Sequence, residues 1–169
     1  GKYIDGVATH LYNTSQGGTG LPQAGVGSPE SAQIDRHCRK LRELVDTYIR
    51  PGAPIFQTEW GQLYRGPSRL AENPDNLREH LGWFLRGHLI ALGEGLDSTW
   101  FFYTADHGGM TEANRDKGRD GYGFFFNQDP ERHPFGAKVV SPKPIAMGIA
   151  AAIRLLEGTK SLGRLDYFG

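Results

Sequence analysis

The sequence predicts an α/β fold built from three strand–helix units with parallel strands. Two observations carry this. Short, apolar, β-rich runs alternate with longer amphipathic stretches, in the order strand, helix, strand, helix, strand, helix. The strand starts, near residues 3, 53 and 97, also recur at similar long intervals, which suit right-handed crossovers and not hairpins. The units run about 3–50, 53–93 and 97–158, taken together as one domain of residues 1–169.

Tyr3 to Leu11, YIDGVATHL, is short, β-rich and polar at its end. That suits a buried strand whose C-terminal end meets solvent. Residues 13–27 form a loop rich in Gly, Ser, Thr and Asn. Ser28 then offers a cap oxygen, Pro29 a first helical residue with no N–H to satisfy, and Glu30 a negative charge at the positive end of the dipole. Ile34, Cys38, Leu41, Val45 and Tyr48 follow as one apolar stripe at helical spacing, and Pro51-Gly52 stops the helix.

Ala53 to Trp60, APIFQTEW, reads as a second buried strand running into a charged tip. After a loop, Asn73 or Asp75 caps a second helix, in which Leu77, Leu81, Phe84, Leu85, His88, Leu89 and Leu92 share a face, ended by Gly93 and Gly95. Asp97 to Thr104, DSTWFFYT, is a third strand. Residues 105–140 are Gly-rich, with an extended piece around Gly123 to Asn127. Ser141-Pro142 opens a third helix, with Ile145, Ile149, Ala152, Ile153 and Leu156 inward and Gly158 at its end.

Composition narrows the function classes. Nineteen Lys+Arg balance nineteen Asp+Glu in 169 residues. This argues against nucleic-acid binding by a broad basic field and against a polybasic membrane anchor. The longest strongly apolar run, Ile145 to Ile153, is too short to span a bilayer. A hydrophobic fraction of 38% argues against disorder, and 24 glycines call for many turns or long loops. Cys38 is the single cysteine, which excludes an intrachain disulfide and a Cys-based zinc cluster. The chain begins Gly1-Lys2-Tyr3-Ile4 with no visible targeting segment, so secreted and cytoplasmic locations both stay open. No P-loop, zinc-protease, dinucleotide or nucleophile-elbow motif occurs. Asp116 to Gly121 is a poor calcium loop, with basic residues inside and no following Glu. No cofactor and no metal are expected.

Three units leave a sheet with two open edges and only three helices to cover it. Doubly wound sheets usually have more strands, and a closed (βα)8 barrel needs about 250 residues. The sheet is therefore expected to be completed elsewhere, by a homo-oligomer, most simply a two-fold dimer, or by a missing N-terminal half.

In parallel α/β folds the chemistry sits at the C-terminal ends of the strands. Those ends hold Thr9, His10, Leu11, Tyr12 and Asn13; then Gln57, Thr58, Glu59, Trp60 and Gly61; then Trp100, Tyr103, Thr104, Asp106 and His107. Titratable groups beside aromatic rings suit a carbohydrate, whose faces stack on Trp and Tyr while its hydroxyls take charged or amide partners. Glu59 leaves a buried strand after Ile55 and Phe56. It can serve as nucleophile, general base or metal ligand, or else as a surface residue that caps the next loop or pairs with Arg65 or Arg69. His10 is a substrate or Glu59 partner, or a rim histidine; Trp100 is a stacking platform, or core. His37, His80 and His88 lie on helices as structural or exposed residues, and Cys38 is inert core.

Pro54-Ile55-Phe56-Gln57-Thr58-Glu59-Trp60-Gly61 resembles the seventh strand of the clan A retaining glycoside hydrolases, which ends in Thr/Ser-Glu-aromatic-Gly with Glu as nucleophile. Asp5 to Tyr12 is similar to their sixth strand, where a His and a Tyr line the site, and Ser98 to Tyr103 to their eighth, where a Trp floors the subsite. Ser141 to Gly158 resembles the last barrel helix. The resemblance implies a partial (βα)8 barrel covering strands six to eight. It further implies retaining hydrolysis of β-linked glycosides, with Glu59 catalytic and His10, Tyr12, Trp60, Trp100, Tyr103, Asp106 and His107 on the substrate. The chain departs from the clan in one respect. The acid/base, a Glu after an Asn on strand four, has no counterpart, since no Asn-Glu pair occurs. The alternative expectation is a non-catalytic barrel fragment or carbohydrate-binding module that oligomerises.

Overall fold

The structure, a computed structural model, describes residues 3–12, 28–61, 74–102, 104, 123–125 and 142–162. Its architecture is α/β: β1 (Val7–Thr9), α1 (Ile34–Tyr48), β2 (Ile55–Trp60), α2 (Pro74–Gly93), β3 (Ser98–Phe101) and α3 (Pro144–Leu156). The three strands are parallel in the order β1-β2-β3, with Val7 opposite Ile55 and Phe56 opposite Ser98. The chain divides into two compact units, residues 1–60, 86–101 and 158–169 in one, and 61–85 and 102–157 in the other.

The first unit holds the sheet and α1. Ser28 caps a turn as expected, its Oγ accepting the Ser31 N–H at 3.1 Å. That turn is not the start of α1, however. Ile34 N–H bonds to Pro29 O and Gln33 N–H to Glu30 O, while Gln33 takes the left-handed conformation, φ 53°. This pair of bonds is the Schellman closure of a helical turn. A new helix then begins, with His37 N–H bonding to Gln33 O. The break falls at Gln33, which carries none of the usual glycine signal. Along α1, Ile34, Cys38, Leu41 and Val45 are buried as the stripe requires, with His37 beside them, but Tyr48 is exposed.

Arg42 ties α1 to the strand entrances. Its guanidinium donates to Ala53 O at 2.6 Å and Gly95 O at 2.7 Å, and lies 3.3 Å from Asp97 Oδ2. The same Asp97 oxygen accepts the Ile55 N–H at 2.8 Å. The N-terminal ends of β2 and β3 are thus pinned together, far along the strands from their C-terminal ends.

On α2 the buried residues are His80, Phe84, Gly87, His88 and Ala91, while Leu89 and Leu92 are exposed. The leucine face expected from the sequence is therefore rotated. The cause is Gly87: a Cβ there would overlap the six-membered ring of Trp60. Only glycine lets that indole lie against the helix, so the helix turns Gly87 toward it. Past its end, Gly95 at φ 87° closes a second Schellman motif, with Leu96 N–H on Ala91 O and Gly95 N–H on Leu92 O.

In the second unit Phe84 and Phe124 pack edge to face, with centroids 5.4 Å apart. Phe124 and Phe125 donate to Thr104 O, and Phe125 makes an antiparallel bridge with Pro142. The third strand ends at Phe101, short of the expected Thr104. α3 begins at Pro144, after Lys143, two residues later than the Ser-Pro signal. Ile145 and Ile149 are buried, but Ile153 and Leu156 are exposed, so the inward face ends after two turns. No helix among the described residues is long and apolar enough to cross a membrane.

Candidate functional site

β1 and β2 are parallel, so their C-terminal ends lie side by side. Beyond Thr9 the ladder continues through a side chain. Gln57 is fully buried; its Oε1 accepts the Leu11 N–H at 2.9 Å and its Nε2 donates to Leu11 O at 2.8 Å. A carboxamide has the donor and acceptor of a peptide unit, so it pairs with Leu11 as a strand neighbour would. Leu11 is itself buried, and the residues on either side of it, His10 and Tyr12, reach the end of β2.

Tyr12 Oη donates to Glu59 Oε2 at 3.0 Å. His10 Nδ1 lies 3.2 Å from the same oxygen, and His10 Nε2 lies 3.0 Å from Thr58 Oγ1. Thr58 and Glu59 are consecutive, and consecutive strand side chains ordinarily point to opposite faces. Here the pairing slips: Gln57 is opposite Thr99, yet Trp60 is opposite Phe101, three steps along β2 against two along β3. Such a bulge re-aims side chains locally. It accounts for one imidazole meeting both Thr58 and Glu59.

The resulting carboxylate is held but open. The Glu59 side chain is 35% exposed and that of His10 49%. Oε2 accepts from Tyr12 and has His10 Nδ1 beside it, while among the described residues Oε1 accepts no hydrogen bond. A carboxylate with one tethered and one open oxygen on a strand end is suited to attack an electrophilic carbon or to take up a proton.

The other expected site residues divide. Trp100 is 58% exposed on β3. Trp60, in contrast, is turned into the core at 1% exposure, against the α2 backbone at Gly87 and edge-on to His88 at 6.0 Å. Its ring is not presented at the open end of the sheet: as the strand residue after Glu59 it lies on the opposite face, toward α2. Tyr103, Asp106 and His107 lie outside the described residues, as do Glu112, Asp116 and Asp120. Among the described residues no group of three or more His, Cys, Asp or Glu is placed to hold a metal ion. Cys38 is buried and its thiol is pushed up to about 12, first by burial, which leaves no reactive thiolate at neutral pH.

No protein-family model and no curated protein matches the chain. Among solved structures it is similar to a family 39 glycoside hydrolase from the gut symbiont Bacteroides cellulosilyticus WH2. The TM-score is 0.58 at 17% identity, over 93% of this chain and 28% of that one. The chain is glycoside-hydrolase-like in fold. It spans little more than a quarter of that protein's length.

Sequence reasoning placed Gln57 and Thr58 at the end of the second strand but gave neither a role in the site. A signal for Gln57 was present: an amide between Phe56 and Thr58 in a buried strand needs a buried partner. Thr58 gave none, since a regular strand would point it away from Glu59.

Proposed function

We propose that this chain supplies strands six to eight of a (βα)8 barrel and carries the nucleophile side of a retaining β-glycosidase site. The observation that carries the reading is the Tyr12 hydroxyl donating to Glu59 Oε2 at 3.0 Å, with His10 Nδ1 on the same oxygen. These groups orient the carboxylate without covering its other oxygen. The fold likeness to a glycoside hydrolase supports the same class.

In this reading Glu59 Oε1 attacks the anomeric carbon as the bond to the leaving-group oxygen breaks. A carboxylic acid elsewhere protonates that oxygen. The glycosyl ester on Glu59 is then hydrolysed by water, activated by the same group as base. Tyr12 and His10 hold the nucleophile in line, and Trp100 offers a face to a sugar ring. Retention requires the two carboxyl groups about 5–5.5 Å apart. The second one comes from the polypeptide that completes the barrel, a missing N-terminal half or a second copy, or from Asp106, Glu112, Asp116 or Asp120. The sheet ends at β1 and β3 among the described residues, which supports assembly with another β-edge. Sedimentation of a stable monomer at micromolar concentration would remove the homo-oligomer.

The decisive experiment is covalent trapping with a 2-fluoro glycoside bearing a good leaving group. The wild-type protein gains one glycosyl mass on the peptide containing Glu59, and Glu59→Gln gains none. Equal labelling of the two sinks the reading. Exposure of Trp100 also favours a second reading, a sugar-binding module without turnover. It predicts sugar binding lost in Trp100→Ala and no trapping in any form.

A further inference from the structure

We propose that Thr58 is a positioning residue, whose hydroxyl donates to His10 Nε2 and so holds the imidazole in the tautomer that presents Nδ1–H to Glu59. A neutral imidazole has one N–H and one bare nitrogen, and the partner of either nitrogen decides which is which. Nδ1 is 3.2 Å from Glu59 Oε2. A bare lone pair facing a carboxylate oxygen at that distance is repelled, whereas an N–H is attracted. Nε2 must then accept, and the group before it is Thr58 Oγ1 at 3.0 Å. A hydroxyl can donate or accept as its partner demands, so Thr58 supplies the proton that Nε2 needs. The same oxygen of Glu59 already accepts from Tyr12. Two donors on one oxygen fix the carboxylate plane, and Thr58 secures the second of them through His10.

The arrangement depends on the β2 bulge. In an unbroken strand Thr58 and Glu59 would face opposite ways and could not share an imidazole. Thr58 is therefore bound to the nucleophile by backbone geometry, and the role in catalysis rests on the nucleophile reading above.

The test reads the tautomer directly and needs no sugar. In 15N-histidine-labelled protein, long-range proton–nitrogen correlation, with His10 assigned by its loss in His10→Asn, reports which ring nitrogen is bare. The wild type should show Nδ1 protonated and Nε2 bare. Thr58→Val leaves only the Glu59 contact to oppose Nε2–H, the form preferred by free imidazole, so the Nε2–H fraction of His10 should rise, and Thr58→Ser should restore the wild-type pattern. Thr58→Ala serves in place of Val should Val fail to fold. The trapping rate should fall in Thr58→Val and recover in Thr58→Ser. A protonated Nε2 in the wild type, or an unchanged tautomer in both Thr58→Val and Thr58→Ala, overturns the inference. Trapping that is absent in every form, with the tautomer shifting as stated, overturns the nucleophile reading and leaves Thr58 as the holder of His10.

Discussion

Gln57 and Leu11 are joined by two hydrogen bonds, 2.9 Å and 2.8 Å, in which a side chain pairs with a backbone as one strand pairs with another. Both residues are buried, so neither bond has water to replace it. Gln57→Leu would leave the Leu11 N–H and C=O unsatisfied, at about 1–3 kcal/mol for each group. The gain from burying an apolar side chain offsets only part of this. The expected outcome is a destabilisation of about 2–4 kcal/mol in denaturant melts, with slower trapping at Glu59 as His10 and Tyr12 lose their anchor. A wild-type unfolding midpoint in Gln57→Leu would show that the pair holds nothing.

Gly87→Ala sets two effects of opposite sign against each other. Ala is favoured over Gly inside a helix by about 1 kcal/mol. The added methyl would overlap the Trp60 ring, which is buried and cannot swing out to solvent. Overpacking of this kind costs about 1–3 kcal/mol, and overlap with a rigid ring lies at the upper end. Net destabilisation is expected, and Trp60→Leu should reverse its sign by making room. A Gly87→Ala protein more stable than wild type would mean that Trp60 does not sit against this helix.

His88 predicts acid sensitivity. Its Nδ1 is 2.6 Å from Thr99 Oγ1, its ring packs edge-on to Trp60 and Phe101, and burial lowers its pKa from 6.5 to about 3. Above about pH 6.5 the ring is neutral in both folded and unfolded chains. As pH falls from there toward 3, the unfolded chain takes up a proton that the folded one refuses, so stability is lost across that window. The full loss is on the order of 5 kcal/mol. Burial shifts His37 in the same direction and adds to it. His88→Gln should show a shallower acid limb in melts between about pH 6.5 and 3. An acid limb identical to wild type would place the sensitivity elsewhere.

The strand order and the meeting of His10, Tyr12 and Glu59 were legible because parallel strands carry their ends to one side, whatever joins them. The bulge was not, since an extra residue in one strand is a property of the pairing and leaves no mark on Gln57-Thr58-Glu59-Trp60 read alone. It brought Thr58 to the same imidazole as Glu59, whereas Trp60 lies on the α2 side as ordinary alternation after Glu59 gives. The turn before α1 was missed because Gln33 takes a left-handed conformation usually signalled by Gly. The rotation of α2 was missed because its apolar arc is wide enough for two stripes. The choice between them belongs to the contact of Gly87 with a tryptophan on another element. On α3, periodicity marked the face correctly at Ile145 and Ile149. It carries no information on how far along the helix the cover extends, and Ile153 lies beyond it.

The last prediction concerns turnover by this chain alone. Among the described residues Glu59 accepts the Tyr12 hydroxyl and lies 3.2 Å from His10 Nδ1, and no carboxyl among them is bonded to it. General acid catalysis is worth about 10²–10⁴-fold, most for poor leaving groups such as sugars. Contacts from an absent barrel half would add the binding energy that aligns and distorts the ring. With neither, hydrolysis of a β-glycan should stay near background. An aryl glycoside with a good leaving group needs little acid help, so it should release its phenol in a single burst, one equivalent per site. It should then stall, because no base activates water against the ester on Glu59. Added azide, which attacks without a base, should restart turnover. Neither burst nor rescue should occur in Glu59→Gln. Sustained cleavage of a natural β-glycan by the purified chain, abolished in Glu59→Gln, would overturn the prediction and mean that a loop or a second copy had supplied the missing acid.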